Sequence, residues 1–398
     1  MLYKRAVAIV TGSQINTLNI IRCLRKAFPR LNIYSIGFDK SGLIRYSKFS
    51  KNILLKSKNP ELVIKTLLDI FKCENRNKVF FFTDEGWIEF YLRNRIILES
   101  MGYTALLPSI DVIENVVNKA ALLQVAKKEG IEIPNSYFIE DEDDIKHLPY
   151  PIYLKIHKSW RMFEQFPKGR IITNAHDALR YVHYLVDDLG LSFNDFLFQE
   201  LLSTNPEDNI SLSGIFMDNS DIYAISRKLL QTSSKLGAAI EIVFNDEVKE
   251  KLYKSCKKLF KKVGYYGIAE CEFIHDKTTG DFKLIEVNPR FWLQHSVFKK
   301  VGINFAEIYF LLSLGVNPIN LQILNGSNKP IVWINETHVI HKFKSLMLGK
   351  PPKDLTVQKA VYILKSIKDY ATISIRDPLP GSIKLLKSLW PLVRYLSD

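Results

Sequence analysis

Apolar and polar positions follow two different periods along the first hundred or so residues. "AVAIVTGS" (6–13) is a continuous apolar run ending in Thr11-Gly12, as expected of a buried parallel strand entering a turn. "QINTLNIIRCLRKAF" (14–28) switches to helical spacing through Ile15, Leu18, Ile21 and Leu24. A second strand is expected at 32–39, a helix at 60–72 with Pro60 at its start, and a buried strand in "KVFFFTDEG" (78–86). Strand–helix–strand–helix–strand predicts an open parallel sheet with right-handed crossovers. Its polar strand ends, Thr11-Gly12 and Thr83-Asp84-Glu85, lie where such sheets bind ligands. "TGSQIN" lacks the G-x-G-x-x-G spacing and does not predict a dinucleotide site.

The pattern changes in 107–139. A helix is expected over 118–129, stopped by Gly130, then a strand in "SYFI". Further strands are expected at 150–157, 196–202, 209–218 and 221–231, with helices at 175–190 and 246–264. "SWRMFEQFPKGRIIT" (159–173) reads as a loop leading into a strand. After about residue 315 the chain is mixed and partly helical. It ends in a basic, apolar-faced helix at 381–398, expected to break at Pro391. Ile383, Leu386, Leu389 and Trp390 fall near one face of it, edged by Lys384, Lys387 and Arg394. Packing on the protein itself is the expected use of that face, with contact to an anionic membrane surface as the alternative.

The chemistry concentrates in one hairpin, "GIAECEFIH" (267–275) and "KLIEVNPRFW" (283–292) around the turn "DKTTGD". Period two places Glu270 and Glu272 on one face of the first strand. In the second it aligns Glu286, Asn288 and Arg290. With the turn centred near Thr279, Glu272 lies opposite Glu286, and Glu270 opposite Asn288. Like charges directly opposite each other destabilise an antiparallel pair. A hard divalent cation compensates them, because Mg²⁺ takes one or two carboxylates plus substrate phosphates. Asn288 supplies a suitable amide oxygen, and Arg290 reaches an anionic group beyond the metal. A solvated acidic hairpin would explain the acids alone, but neither Asn-Pro-Arg nor Phe291-Trp292.

Composition sets outer bounds. The 398 residues suit two or three domains, and 47% apolar content allows sizeable cores. The net charge of +13 admits anionic ligands such as nucleotides. The basic residues are not interleaved with aromatics in any nucleic-acid motif, so nucleic acid is not an expected partner. Four cysteines without a C-x-x-C pair predict reduced thiols and a cytoplasmic protein. No stretch approaches the roughly 18–20 apolar residues of a membrane span.

"ECEF…LIEVNPRFW" resembles the metal-binding hairpin of the ATP-grasp superfamily, in particular the branch related to carbamoyl-phosphate synthetase. The resemblance covers roughly residues 5–310 and implies a fold of class α/β and α+β. An N-terminal open parallel-sheet (pre-ATP-grasp) domain (1–107) would precede an ATP-grasp domain (108–315). That domain would divide into subdomains 108–197 and 198–315 that clamp ATP, with a mixed, partly helical C-terminal segment at 316–398. The implied cofactors are ATP and Mg²⁺ (or Mn²⁺). The implied reaction activates a small-molecule carboxylate as an acylphosphate and joins it to an amine. An amino acid or a uronic-acid sugar is an acceptable substrate, and the oligomeric state is left open. Two alternatives share the fold: a single-unit carbamoyl-phosphate-type synthetase and a non-catalytic nucleotide-binding scaffold.

The resemblance also assigns residues. Lys155, in "PIYLKIH", matches the strand lysine that contacts nucleotide phosphates. Lys168 or Arg170 matches the basic residue after the phosphate loop, although "KSWRMFEQFPKG" is bulky where the family's loop is glycine-rich. Lys119 matches a nucleotide contact at a helix start, with Asn118 replacing the family's acid. In "FLFQELL", Gln199 and Glu200 would hold adenine with the backbone of Leu201 and Leu202. Arg227 and Lys228 resemble a basic pair facing phosphates or substrate. Glu272, Glu286 and Asn288 match the metal ligands, Glu270 stands beside them, and Arg290 matches the arginine that steadies the transferred phosphoryl group.

Overall fold

The computed structural model describes residues 5–137, 139, 141–156, 169–217, 220–232, 236–318 and 329–397, with side chains through 388 apart from that of 194. Three sheets organise them. The first contains β1 (Ala6–Thr11), β2 (Ile33–Gly37), β3 (Lys51–Leu54), β4 (Asn77–Phe81) and β5 (Tyr103–Thr104). Its order is β3-β2-β1-β4-β5, and every pairing is parallel. β1 is buried throughout, as its unbroken apolar run predicts. The crossover helices Ile15–Ala27 and Pro60–Phe71 match the helical spacing, and the Asn59 side chain caps the second by accepting from Leu62 N–H. Gly12 ends β1 with φ +83°, and a Cβ there would stand 2.4 Å from Thr83 Oγ1, so the Thr-Gly turn requires glycine.

The second sheet is antiparallel, with β6 (Ser136–Tyr137), β7 (Ile152–Ile156), β8 (Arg170–Ile172) and β9 (Phe196–Glu200) in the order β6-β9-β7-β8. Ile152, Leu154 and Phe198 bury one face against Ala178 and Val182 of the helix Ala175–His183. β9 stays in this sheet through Glu200, so the linker to the third sheet begins at 201.

The third sheet holds β10 (Asn209–Phe216), β11 (Ile222–Gln231), β12 (Gly237–Val243), β13 (Gly267–Asp276), β14 (Asp281–Asn288), β15 (Val332–Ile334) and β16 (Ile367–Tyr370). The order is β14-β13-β10-β11-β12-β15-β16. The stretch 316–398 thus adds two strands to the far edge of this sheet as well as its helices. The basic helix Asp246–Val263 covers one face, packing Leu252, Cys256, Leu259 and Phe260 against Leu212, Cys271 and Phe273. Phe291 and Trp292, just past β14, are buried in the same core as Phe81, Phe305 and Tyr309, which fastens the hairpin exit to the parallel-sheet unit. The last helix, Pro378–Ser397, runs through Pro391 without the expected break; the proline forfeits one backbone hydrogen bond and the helix continues.

Candidate functional site

The β13–β14 register places Glu272 opposite Glu286 and Glu270 opposite Asn288, as the alternation predicts. A bulge follows at once, since Phe273 pairs with Leu284 and Ile285 is skipped. The strand ends at Asn288, so Arg290 lies beyond it, yet its Nη2 still donates to Asn288 Oδ1 at 3.4 Å. Asn288 Nδ2 donates at 3.4 Å to both Glu272 Oε1 and Glu286 Oε1. The positive end of an amide dipole thus sits between two carboxylates, in the place a cation would take.

Lysines from three other elements converge on the same face. Lys119, first residue of the helix Lys119–Lys128, brings Nζ to 3.5 Å from Glu286 Oε2. Lys228 of β11 pairs with Glu272 Oε2 at 2.9 Å. Lys155 of β7 has a partly exposed stem, but its Nζ is buried and hydrogen-bonds to nothing among the described residues. Burial pushes the Lys155 ammonium down to about 8, although Glu286 pulls the other way. Burial acts on Glu286 in the opposite sense, but Lys119 and Lys155 outweigh it and hold that carboxylate at about 2. Glu270 is pushed up to about 8 by burial and by Glu272, and it accepts from Gln294 Nε2 at 2.9 Å.

Arg290 Nε donates to Glu85 Oε1 at 2.8 Å, a link from the hairpin to the helix Glu85–Arg93 at the C-terminal end of β4. Burial works against the guanidinium's charge, but Glu85 more than restores it and Arg290 stays above its ordinary value. Beside it, burial and Glu85 raise Asp84 to about 6. Asp84 and Glu85 lie at a C-terminal strand end of the parallel sheet, the edge where such sheets bind ligands.

Other expected positions fall elsewhere. Arg227 neighbours Lys228 on β11 and therefore faces the opposite way, where it pairs with Glu241 at 2.8 Å. It is not brought to the carboxylates; the period of β11 selects Lys228 instead. Arg170 packs its guanidinium 4.6 Å over the Tyr181 ring. Gln199 is buried and donates to Ser136 Oγ at 3.1 Å. Glu200 is held by Lys283 Nζ at 2.7 Å and by both donors of Asn135, so it ties β9 to β14. Leu202 is half-buried in the linker after β9. Lys168 lies outside the described residues. Sequence reasoning singles out Glu85 and Arg290 separately but misses their contact, because 205 residues separate them.

The donor set fits a nucleotide–metal complex. Two carboxylates and an amide are what Mg²⁺ takes from a protein when phosphates complete its shell. Among the described residues no three or more His, Cys, Asp or Glu side chains gather into a dedicated metal cage. The buried Lys155 ammonium, 5.7 Å from the Tyr153 ring centroid but without a hydrogen-bond partner among the described residues, has the chemistry of a phosphate contact.

Residues 217–321 match the family described as carbamoyl-phosphate synthase L chain, ATP binding domain. A D-aspartate ligase of Enterococcus faecium is 18% identical over 321 residues, covering 76% of this chain and 75% of the relative. The biotin carboxylase domain of Hydrogenobacter thermophilus 2-oxoglutarate carboxylase, solved with MgADP and bicarbonate, superposes with a TM-score of 0.63 at 17% identity. That similarity covers 82% of this chain and 73% of the other. An ADP complex of N5-carboxyaminoimidazole ribonucleotide synthetase also gives 0.63 at 13% identity, covering 87% and 86%. Fold and matched segment agree: the chain has an ATP-grasp fold, and one segment of it matches a family of ATP-binding domains. The matched segment, which contains the hairpin, is similar to the ATP-binding domain of carbamoyl-phosphate synthase.

Proposed function

We propose that the protein is an ATP- and Mg²⁺-dependent carboxylate–amine ligase. The observation that carries this reading is the buried Lys155 ammonium, without a hydrogen-bond partner among the described residues, beside the Glu272–Glu286–Asn288–Arg290 set. ATP would lie between the four-stranded and seven-stranded sheets, its adenine at the 199–202 strand end. Lys155, Lys119 and Lys228 would face its phosphates. Glu272, Glu286 and Asn288 would hold Mg²⁺ (or Mn²⁺), which supplies charge neutralisation to the phosphates. Arg290, kept charged and oriented by Glu85, would stabilise the phosphoryl group in transfer. In the first step a carboxylate oxygen bonds to the γ-phosphorus and the bond to ADP breaks. In the second the amine nitrogen attacks the acyl carbon, phosphate leaves with the bridging oxygen, and the nitrogen loses a proton.

An amino acid is the favoured carboxylate or amine, supported by similarity to D-aspartate ligase. The domain limits 1–107, 108–315 and 316–398 belong to this reading. So does a cytoplasmic location, supported by four free cysteines, three of them buried. The test is ADP release screened over pairs of amino acids, dipeptides and uronic-acid sugars. Release that requires one carboxylate and one amine together supports the proposal; ADP formation indifferent to every pair contradicts it.

A further inference from the structure

The region 336–388 distributes its charge unevenly. All four of its acids turn inward: Glu336 and Asp377 are buried, Asp354 pairs with Lys342, and Asp369 accepts from Ser296 Oγ at 2.6 Å. Glu336 takes the backbone N–H groups of Thr372 and Ile373, and Asp377 takes Arg22. The exposed charged side chains are all basic: Lys344, Lys350, Lys353, Lys365, Lys368, Arg376 and Lys387. Among the described residues of this region, no acid is exposed.

Large apolar side chains are exposed in the same region. The helix Glu336–Met347 exposes Ile340 and Met347, seven residues apart. The helix Val357–Ser366 exposes Val357, Val361 and Leu364, one stripe of its outward face, while Ala360 and Ile363 pack inward. The last helix exposes Leu379 and Leu386, again seven apart, and the preceding turn exposes Ile375 at 98%. Lys384, which donates to Asn335 Oδ1 at 2.8 Å, fixes that last helix to the rest of the protein. The helix is thus fastened to its own chain through Lys384, but Leu386, on the face expected to pack inward, is exposed, and the side chains of Leu389 and Trp390 lie outside the described ones.

We propose that this surface docks on an anionic lipid bilayer. Exposed apolar side chains with only basic exposed charges among them in the region are what an interfacial element needs, the apolar groups entering the acyl boundary and the ammoniums meeting headgroups. Charge argues against the other occupants. A second copy would set seven cations against seven, and a nucleic acid would leave the apolar side chains without a partner. No helix among the described residues is long and apolar enough to cross a membrane, so the surface lies on the bilayer.

The full chain is sedimented with vesicles of phosphatidylcholine alone and with vesicles about one-third phosphatidylglycerol, at about 0.1 M and about 0.5 M salt. Two variants accompany it: Lys365→Glu with Lys368→Glu and Arg376→Glu, and Met347→Asp with Ile375→Asp. All five positions are exposed and outside the ATP site. The proposal expects binding only to the anionic vesicles, weakened by salt, and lowered about a hundredfold or more by charge reversal. The Asp pair should lower it too, while ADP release in solution stays unchanged. Absence of binding to the anionic vesicles overturns the proposal, as does binding indifferent to both variants. A concentration-dependent dimer abolished by the Asp pair would assign the surface to a second copy and overturn it as well. None of these outcomes bears on whether the protein is a ligase.

Discussion

Replacing Lys155 by methionine should stabilise the free protein and weaken ATP binding, a combination that separates a ligand contact from a structural lysine. The side chain keeps its length, and the buried charge disappears. Burial lowers the ammonium from its ordinary 10.5 to about 8, so holding the proton at neutral pH costs about 3 kcal/mol. The uncharged thioether avoids that cost, and the unfolding free energy at pH 7 should rise by up to about 3 kcal/mol. The sign reverses nowhere, but the gap closes with pH. Between about 8 and 10.5 the folded wild type has released its proton while the unfolded chain still binds one, so wild-type stability climbs toward that of the variant. Loss of a charge-assisted phosphate contact should cost about 1.5–3 kcal/mol in nucleotide affinity, roughly ten- to hundredfold in Kd. Urea unfolding at several pH values measures the first effect, and calorimetric titration with a non-hydrolysable ATP analogue the second. An unchanged Kd, or a variant that is less stable at pH 7, would refute the reasoning.

Glu286→Gln keeps volume and removes charge, so it should abolish ATP turnover with the circular-dichroism spectrum retained, while the melting temperature falls because Lys119 and Lys155 lose the carboxylate facing them; normal turnover with Mg²⁺ would exclude Glu286 as a ligand. ATP binding should weaken as pH rises through about 8, because the phosphates require protonated Lys155 and Glu270 becomes anionic in the same range, and Lys155→Met should reduce that slope, leaving the part due to Glu270. Lys228→Ala should raise the ATP Kd about tenfold or more while Arg227→Ala leaves it unchanged, since only Lys228 faces Glu272; equal effects would show that the β11 assignment fails.

Much of the architecture is legible without coordinates. The apolar runs of β1 and β4 and the helical spacing between them define the parallel sheet, because strands buried on both faces need continuous hydrophobicity. Alternation and a turn near Thr279 predict the Glu272–Glu286 pairing, but it depends on the bulge at Ile285, because the turn itself pairs Asp276 with Asp281 and would otherwise set Glu272 opposite Ile285. What escapes shares a physical cause. β3 exposes most of its residues, β5 has only two residues, and neither has a readable period. β12, "GAAIEIV", opens on small residues and gives no strand signal, though it is buried almost throughout. The resemblance offers Arg227 and Lys228 as a basic pair, and only the pleat decides which member faces the acids. The Glu85–Arg290 link joins two sheets and has no local signature. Pro391 reads as a break, and the helix passes through it.

The central claim, that this site activates a carboxylate by phosphorylation, is tested most directly by oxygen transfer. The carboxylate that supports ADP release is labelled with ¹⁸O in its carboxyl group and turned over with ATP, Mg²⁺ and the amine. The inorganic phosphate is then examined by mass spectrometry. The account predicts one ¹⁸O per phosphate released in wild-type turnover, and no phosphate from Glu286→Gln. Phosphate formed at the wild-type rate without ¹⁸O would contradict it.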